Sequence, residues 1–183
     1  MLTGDAVCRA ALYPKFITPS GVFDEEALLN FAGIKGTEVY ALSVASKFIC
    51  RSDNGVHEYG VTAAEIANAR FREKNGRSPE PIDEEVHYVG FYEFLYGDLI
   101  AIEMTHYAVH CYWLPENGLH MHFQAEFRPN GRTGSAREKR TDRRAAVGIL
   151  ATMLRGPKKH ISMKDEPYRE ALEAIDLPAL PRG

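Results

Sequence analysis

Apolar and polar positions alternate in two different periods along this chain. In the segment VTAAEIANARFREKNG, Ala63, Ala67 and Phe71 recur at helical spacing. Thr62 and Glu65 form a capping box, Val61 and Ile66 a hydrophobic staple, and Asn75-Gly76 a stop, so the spacing predicts a helix near 62–75. VFDEEALLNFAG predicts a second helix near 24–33, with Phe23 and Leu28 as its staple. Ala146, Ile149, Leu150, Met153 and Leu154 share one helical face before Gly156-Pro157, which predicts a helix near 142–155. A last helix is expected near 167–176, with Pro167 in its first turn, and a short strand over 160–163.

The period of two appears elsewhere. TEVYALSVASKFICRS alternates Tyr40, Leu42, Val44, Ser46 and Phe48 against more polar neighbours, a half-buried strand near 37–50 ending at Asp53-Asn54-Gly55. Three further strands are expected near 86–95, 99–114 and 119–128, separated by Tyr96-Gly97-Asp98 and by Pro115-Glu116-Asn117-Gly118. The reading is a single α+β domain over 1–183, an antiparallel β-meander packed by helices.

The length of 183 residues fits one domain, and 45% hydrophobic with 26% charged residues is enough for a core. No secretory signal and no membrane-length apolar run is visible, so a cytoplasmic protein with no membrane partner is expected. Cys8, Cys50 and Cys111 are odd in number and lack a C-x-x-C pair, which argues against a disulfide framework or a thiolate zinc site. No cofactor fingerprint is present: both G-K-[ST] and G-x-G-x-x-G are missing.

Charge changes the picture more than composition does. Between Arg128 and Arg144 lie seven basic residues (Arg128, Arg132, Arg137, Lys139, Arg140, Arg143 and Arg144) against Glu138 and Asp142. That balance of +5 leaves −8 for the remainder of a chain whose total is −3. The segment carries Gly131 and Gly134 and feeds a helix, with Ser135 and Glu138 as one capping box and Thr141-Asp142 as a later start. Arginines at a helix N-terminus cost ~0.3–1 kcal/mol each unless an anion offsets them. The expected function is therefore binding of a phosphate-rich ligand, nucleic acid or a nucleotide-like molecule, through this loop. An assembly subunit docking an acidic partner protein is an alternative, and the oligomeric state stays open.

The stretch LHMHFQAEF offers different chemistry. An even-length hairpin loop at Asn117-Gly118 pairs odd positions on one strand with even positions on the other. That puts His120, His122 and Glu126 on one face with Cys111 and Trp113, away from the core face of Phe123, Ala125 and Phe127. His120, His122 and Cys111 are then metal-ligand candidates, and Cys111, His122 and Glu126 candidates for a small enzyme's nucleophile, base and carboxylate. A polar imidazole-rich sheet face is the plainer reading of the same residues.

The element order is similar to that of GNAT acetyltransferases, whose loop after the fourth strand holds a cofactor pyrophosphate near the positions of Gly131 and Gly134. REKRTDRR and the missing closing strands depart from that pattern. Phe127-Arg128-Pro129-Asn130 resembles the HPN turn of ubiquitin-conjugating enzymes, but no cysteine follows Cys111. Neither resemblance assigns a family.

Overall fold

The structure is a computed structural model that describes residues 2–17, 24–29, 32–115 and 122–177. Its elements run β1 (Ala6–Tyr13), α1 (Glu25–Leu29), β2 (Ala32–Gly33), β3 (Tyr40–Ser46), α2 (Lys47–Cys50) and α3 (Asp53–Asn75). They continue with β4 (His87–Leu95), α4 (Tyr96–Ile100), β5 (Tyr107–Trp113), β6 (His122–Pro129), α5 (Ala136–Met153) and β7 (Arg155–Lys159). A 3₁₀ turn, Met163–Tyr168, leads into α6 (Arg169–Glu173). The fold is α+β around an antiparallel sheet, as the patterning predicts. Among the described residues no helix is long and apolar enough to cross a membrane.

The connectivity is not a meander. The sheet order is β5-β6-β3-β1-β4-β7, with β2 paired to β3. Among the described residues only β2–β3 and β5–β6 are sequential neighbours; β4 pairs with β1 and β7 instead of β5. The cause is β1, which the patterning does not reveal. Its segment AVCRAALY is buried on both faces, so it has no alternation to read. It fills the centre of the sheet. The chain after β4 then turns into α4, where Tyr96 N–H and Gly97 N–H donate to Asp5 O and Thr3 O at 2.8 and 2.9 Å. The strand expected over 99–114 is therefore shortened to β5.

The strand expected over 37–50 also ends early, because Ser46 Oγ accepts from Ile49 N–H and starts α2. Arg51 is left-handed at φ 64°, and Ser52 Oγ then accepts from Gly55 N–H at 3.2 Å to start α3. Asp53-Asn54-Gly55, expected as the turn that ends the strand, is thus the first turn of a helix. A Cβ at Gly55 would lie 2.2 Å from Cys50 O, so only glycine allows α2 and α3 to abut. Thr62 is mid-helix, its hydroxyl donating to Glu58 O at 2.9 Å, so the Thr62–Glu65 box is not the start. The predicted stop is correct: Gly76 is left-handed and its N–H donates to Arg72 O.

In α1, Asp24 Oδ1 accepts from Ala27 N–H at 2.8 Å. The helix expected to 33 gives way to β2. The strand expected over 160–163 is replaced by β7, five residues earlier, and the last helix is split into the 3₁₀ turn and α6. The core is one cluster in which Tyr88, Phe91, Tyr92, Phe94 and Phe127 are the largest fully buried side chains. Helix α3 packs on one face of the sheet, against Tyr88, and α5 on the other, against Tyr40 and Tyr107.

Candidate anion-binding surface

Helix α5 starts at Ser135, the earlier of the two expected starts. Ser135 Oγ accepts from Glu138 N–H, and Glu138 Oε2 accepts from Ser135 N–H at 2.7 Å. The Ser135 hydroxyl and then its backbone N–H, both donating to Glu138 Oε2 at 2.7 Å, hold the Glu138 carboxyl below the usual range. The loop before it is built by Asn130, which donates from Nδ2 to Thr105 O and accepts from Arg132 N–H. Gly131 takes the left-handed backbone, φ 85°. Gly134 has a different role from the open phosphate cradle expected for it: a Cβ there would lie 2.3 Å from His106 Nε2. It lets the loop close over that imidazole.

His106 is the anchor. Its backbone N–H and its Nδ1 both donate to Asp142 Oδ2, at 2.7 and 2.9 Å. So the residue just before β5 holds the second turn of α5 through one of only two acidic residues in the basic segment.

The seven basic residues divide into two sets. Arg128 donates from Nε to Glu126 Oε2 at 2.6 Å and lies over the Tyr112 ring. Lys139 Nζ reaches both oxygens of Glu38 at 2.9 Å. Arg143 stacks on Tyr40, 3.9 Å from the ring centroid, and contacts the Tyr107 hydroxyl. These three are consumed within the protein. Arg132, Arg137, Arg140 and Arg144 are exposed, and no carboxylate among the described residues pairs with their side chains. Positions 137, 140 and 144 are spaced by three and four, so they form one row along the outside of α5. Arg132 precedes the row in the loop.

The histidine stretch is placed otherwise. His120 and the Asn117-Gly118 turn lie outside the described residues. The register pairs Cys111 with Ala125, His110 with Glu126 and Trp113 with Phe123, odd with odd and even with even. This corrects the expected odd-to-even pairing, which rested on an even-length loop. Cys111 therefore sits on the face of Ala125 and Phe127, while His122 and Glu126 sit on the opposite face. Burial pushes the Cys111 thiol up to about 12, the reverse of an activated nucleophile. His122 is buried and donates from Nδ1 to Leu114 O at 3.1 Å. Glu126 is buried and accepts from Gln124 and Arg128. Among the described residues no three His, Cys, Asp or Glu side chains converge as a metal site.

Two arrangements escape sequence reasoning. His57 and His160 stack at 4.0 Å, and His57 Nδ1 shares a hydrogen bond with the Tyr88 hydroxyl at 2.9 Å. Arg9 lies within the apolar run of β1, and a lone arginine in such a run was the available signal.

Fold and surface together define an α+β protein with a cationic helix face. Comparison with known protein families, curated proteins and solved structures finds no match, so the geometry of the chain itself carries the functional argument.

Proposed function

We propose that this protein binds phosphate-rich polyanions, nucleic acid foremost, through the exposed arginine row of α5 with Arg132. The observation that carries this reading is the division of the basic segment: Arg132 in the loop and Arg137, Arg140 and Arg144 on α5 are exposed without acidic partners among the described residues, and α5 is pinned from behind by His106 and Asp142. A rise of about 1.5 Å per residue spreads Arg137 to Arg144 over about 10 Å. Such a row suits successive phosphates of a strand better than the single phosphate group of a mononucleotide. Planar guanidinium groups suit bidentate phosphate contacts. A cytoplasmic setting belongs to the same reading, and three free cysteines are compatible with it.

The test is fluorescence anisotropy of a labelled DNA duplex over a salt series, with the parent and an Arg137→Ala/Arg140→Ala/Arg144→Ala variant. Each lost phosphate contact should lower the magnitude of the log–log salt slope by about 0.9, so the triple variant should lose about 2.7. Equal slopes and equal affinity for both proteins would overturn the reading. So would a parent that fails to bind duplex or single-stranded DNA or RNA at low salt.

A further inference from the structure

A recess of about 490 Å³ opens between α3, the β3–β6 part of the sheet and the turn after β1. Its volume lies in the range of small-molecule sites, roughly 300–1,000 Å³. Phe16, Ile34 and Ile66 give it apolar walls, while Ser43 and Gln124 add hydrogen-bonding groups. The charged residues lining it, among those described, are Arg9, Lys15 and Arg70, all cationic.

Arg9 is the informative member. It rises from the middle of β1, donates from Nε to Leu28 O and from Nη1 to Ser43 O at 2.7 Å each, and packs its guanidinium 5.0 Å from the Phe16 ring. Its hydrogen-bond partners among the described residues are neutral carbonyl oxygens. Two bonds leave guanidinium N–H groups over, since the group carries five. Loss of solvent pulls its pKa down to about 10. The Lys15 ammonium is lowered as well, first by burial and then by repulsion from Arg9 and Arg70. A structural strut between two carbonyls accounts for Arg9 but not for the lysine beside it. Two mutually repelling cations, Arg9 and Lys15, at a partly desolvated recess are unfavourable until an anion enters.

We propose that this recess is a binding site for a small organic anion: a carboxylate- or phosphate-type oxyanion on an apolar body. The oxyanion meets Arg9, Lys15 stands exposed at the mouth, and the body lies against Phe16 and Ile66. The recess and the arginine row of α5 involve different residues, so this site does not depend on nucleic-acid binding.

The test is an NMR titration of isotope-labelled protein with phenyl phosphate, inorganic phosphate and benzyl alcohol. Phenyl phosphate should shift the amide signals of Ser43, Tyr59 and Gln124 saturably. Inorganic phosphate should do so more weakly, because it leaves the apolar wall uncovered. Lys15→Glu, a change at an exposed side chain, should weaken phenyl phosphate by about tenfold, the effect of one strong charge contact. The α5 triple variant should bind it like the parent. The proposal is overturned if those signals do not move, if benzyl alcohol binds as well as phenyl phosphate, or if Lys15→Glu binds as well as the parent.

Discussion

Replacing Asp142 by alanine should destabilise this protein by more than the loss of one acidic residue from a cationic helix would. On charge alone the change leaves five basic residues on α5 with only Glu138 to balance them, a modest surface effect. The geometry gives a larger cost. Asp142 Oδ2 accepts both the backbone N–H and the Nδ1–H of His106, and its side chain is only 14% exposed. Alanine strands a buried backbone donor, at about 1–3 kcal/mol, and removes a charge-assisted bond to the imidazole, at about 1.5–3 kcal/mol. Relaxation and water entry offset part of this, so about 3 kcal/mol is expected. Against a typical total of about 5–15 kcal/mol that is a substantial loss. Asp142→Asn keeps an oxygen for the backbone donor and should cost about 1 kcal/mol. Urea unfolding measures both. With m near 2 kcal/mol/M, Asp142→Ala should lower the midpoint by roughly 1.5 M. A loss under about 0.5 kcal/mol, or equal losses for the two variants, would refute the anchoring role.

Two further outcomes are expected. Gly60→Ala should lower the thermal midpoint despite alanine's helix propensity advantage of about 1 kcal/mol, because its Cβ would meet the fully buried Tyr88 ring at 2.1 Å and overpacking costs about 1–3 kcal/mol or more; an unchanged or raised midpoint in a melting scan would count against the packing described. Burial, reinforced by His160, holds His57 at about 4, below its usual 6.5, so the neutral ring stabilises the fold fully above pH 6.5 and this contribution is lost as pH falls from 6.5 towards 4. The partly exposed ring is screened, which reduces the effect to about 1–2 kcal/mol. Denaturation of parent and His57→Gln at pH 7 and pH 4.5 should show the parent losing that much more stability, and parallel losses would contradict it.

Local signals carried well from sequence to structure. Ser135 and Glu138 form the box that their spacing implies, and Gly76 closes α3 because a left-handed residue is needed there. Phe123, Ala125 and Phe127 are buried on one face of β6, as their alternation indicates, but His122 and Glu126 on the other face are buried as well. What failed depended on partners distant in the chain. A strand buried on both faces shows no period of two, so β1 was silent and β4 was assigned to the wrong neighbour. Asp-Asn-Gly suits a strand-ending turn and a helix start equally well, and Ser46 and Ser52 capping two successive helices decides between them. The histidine constellation turned on the parity of one loop. A one-residue change in loop length transfers Cys111 to the other face of the sheet, and nothing within LHMHFQAEF encodes that parity.

The same comparison sharpens the electrostatic argument. Composition counts seven cations between Arg128 and Arg144, and if all met phosphates the duplex salt slope would approach about −6.3. The structure withdraws three. Arg128 is held by Glu126, Lys139 by Glu38, and Arg143 is stacked on Tyr40. Releasing them for a ligand would sacrifice those contacts, so the four outward arginines set the expected slope, about −3.6. Arg143→Ala should then lower stability through lost stacking while leaving the slope near the parent's. Arg140→Ala should do the reverse, lowering the slope by about one contact with little effect on stability. A slope near −6, or an Arg143→Ala variant that loses slope but not stability, would mean that the tied and free sets have been assigned the wrong way round.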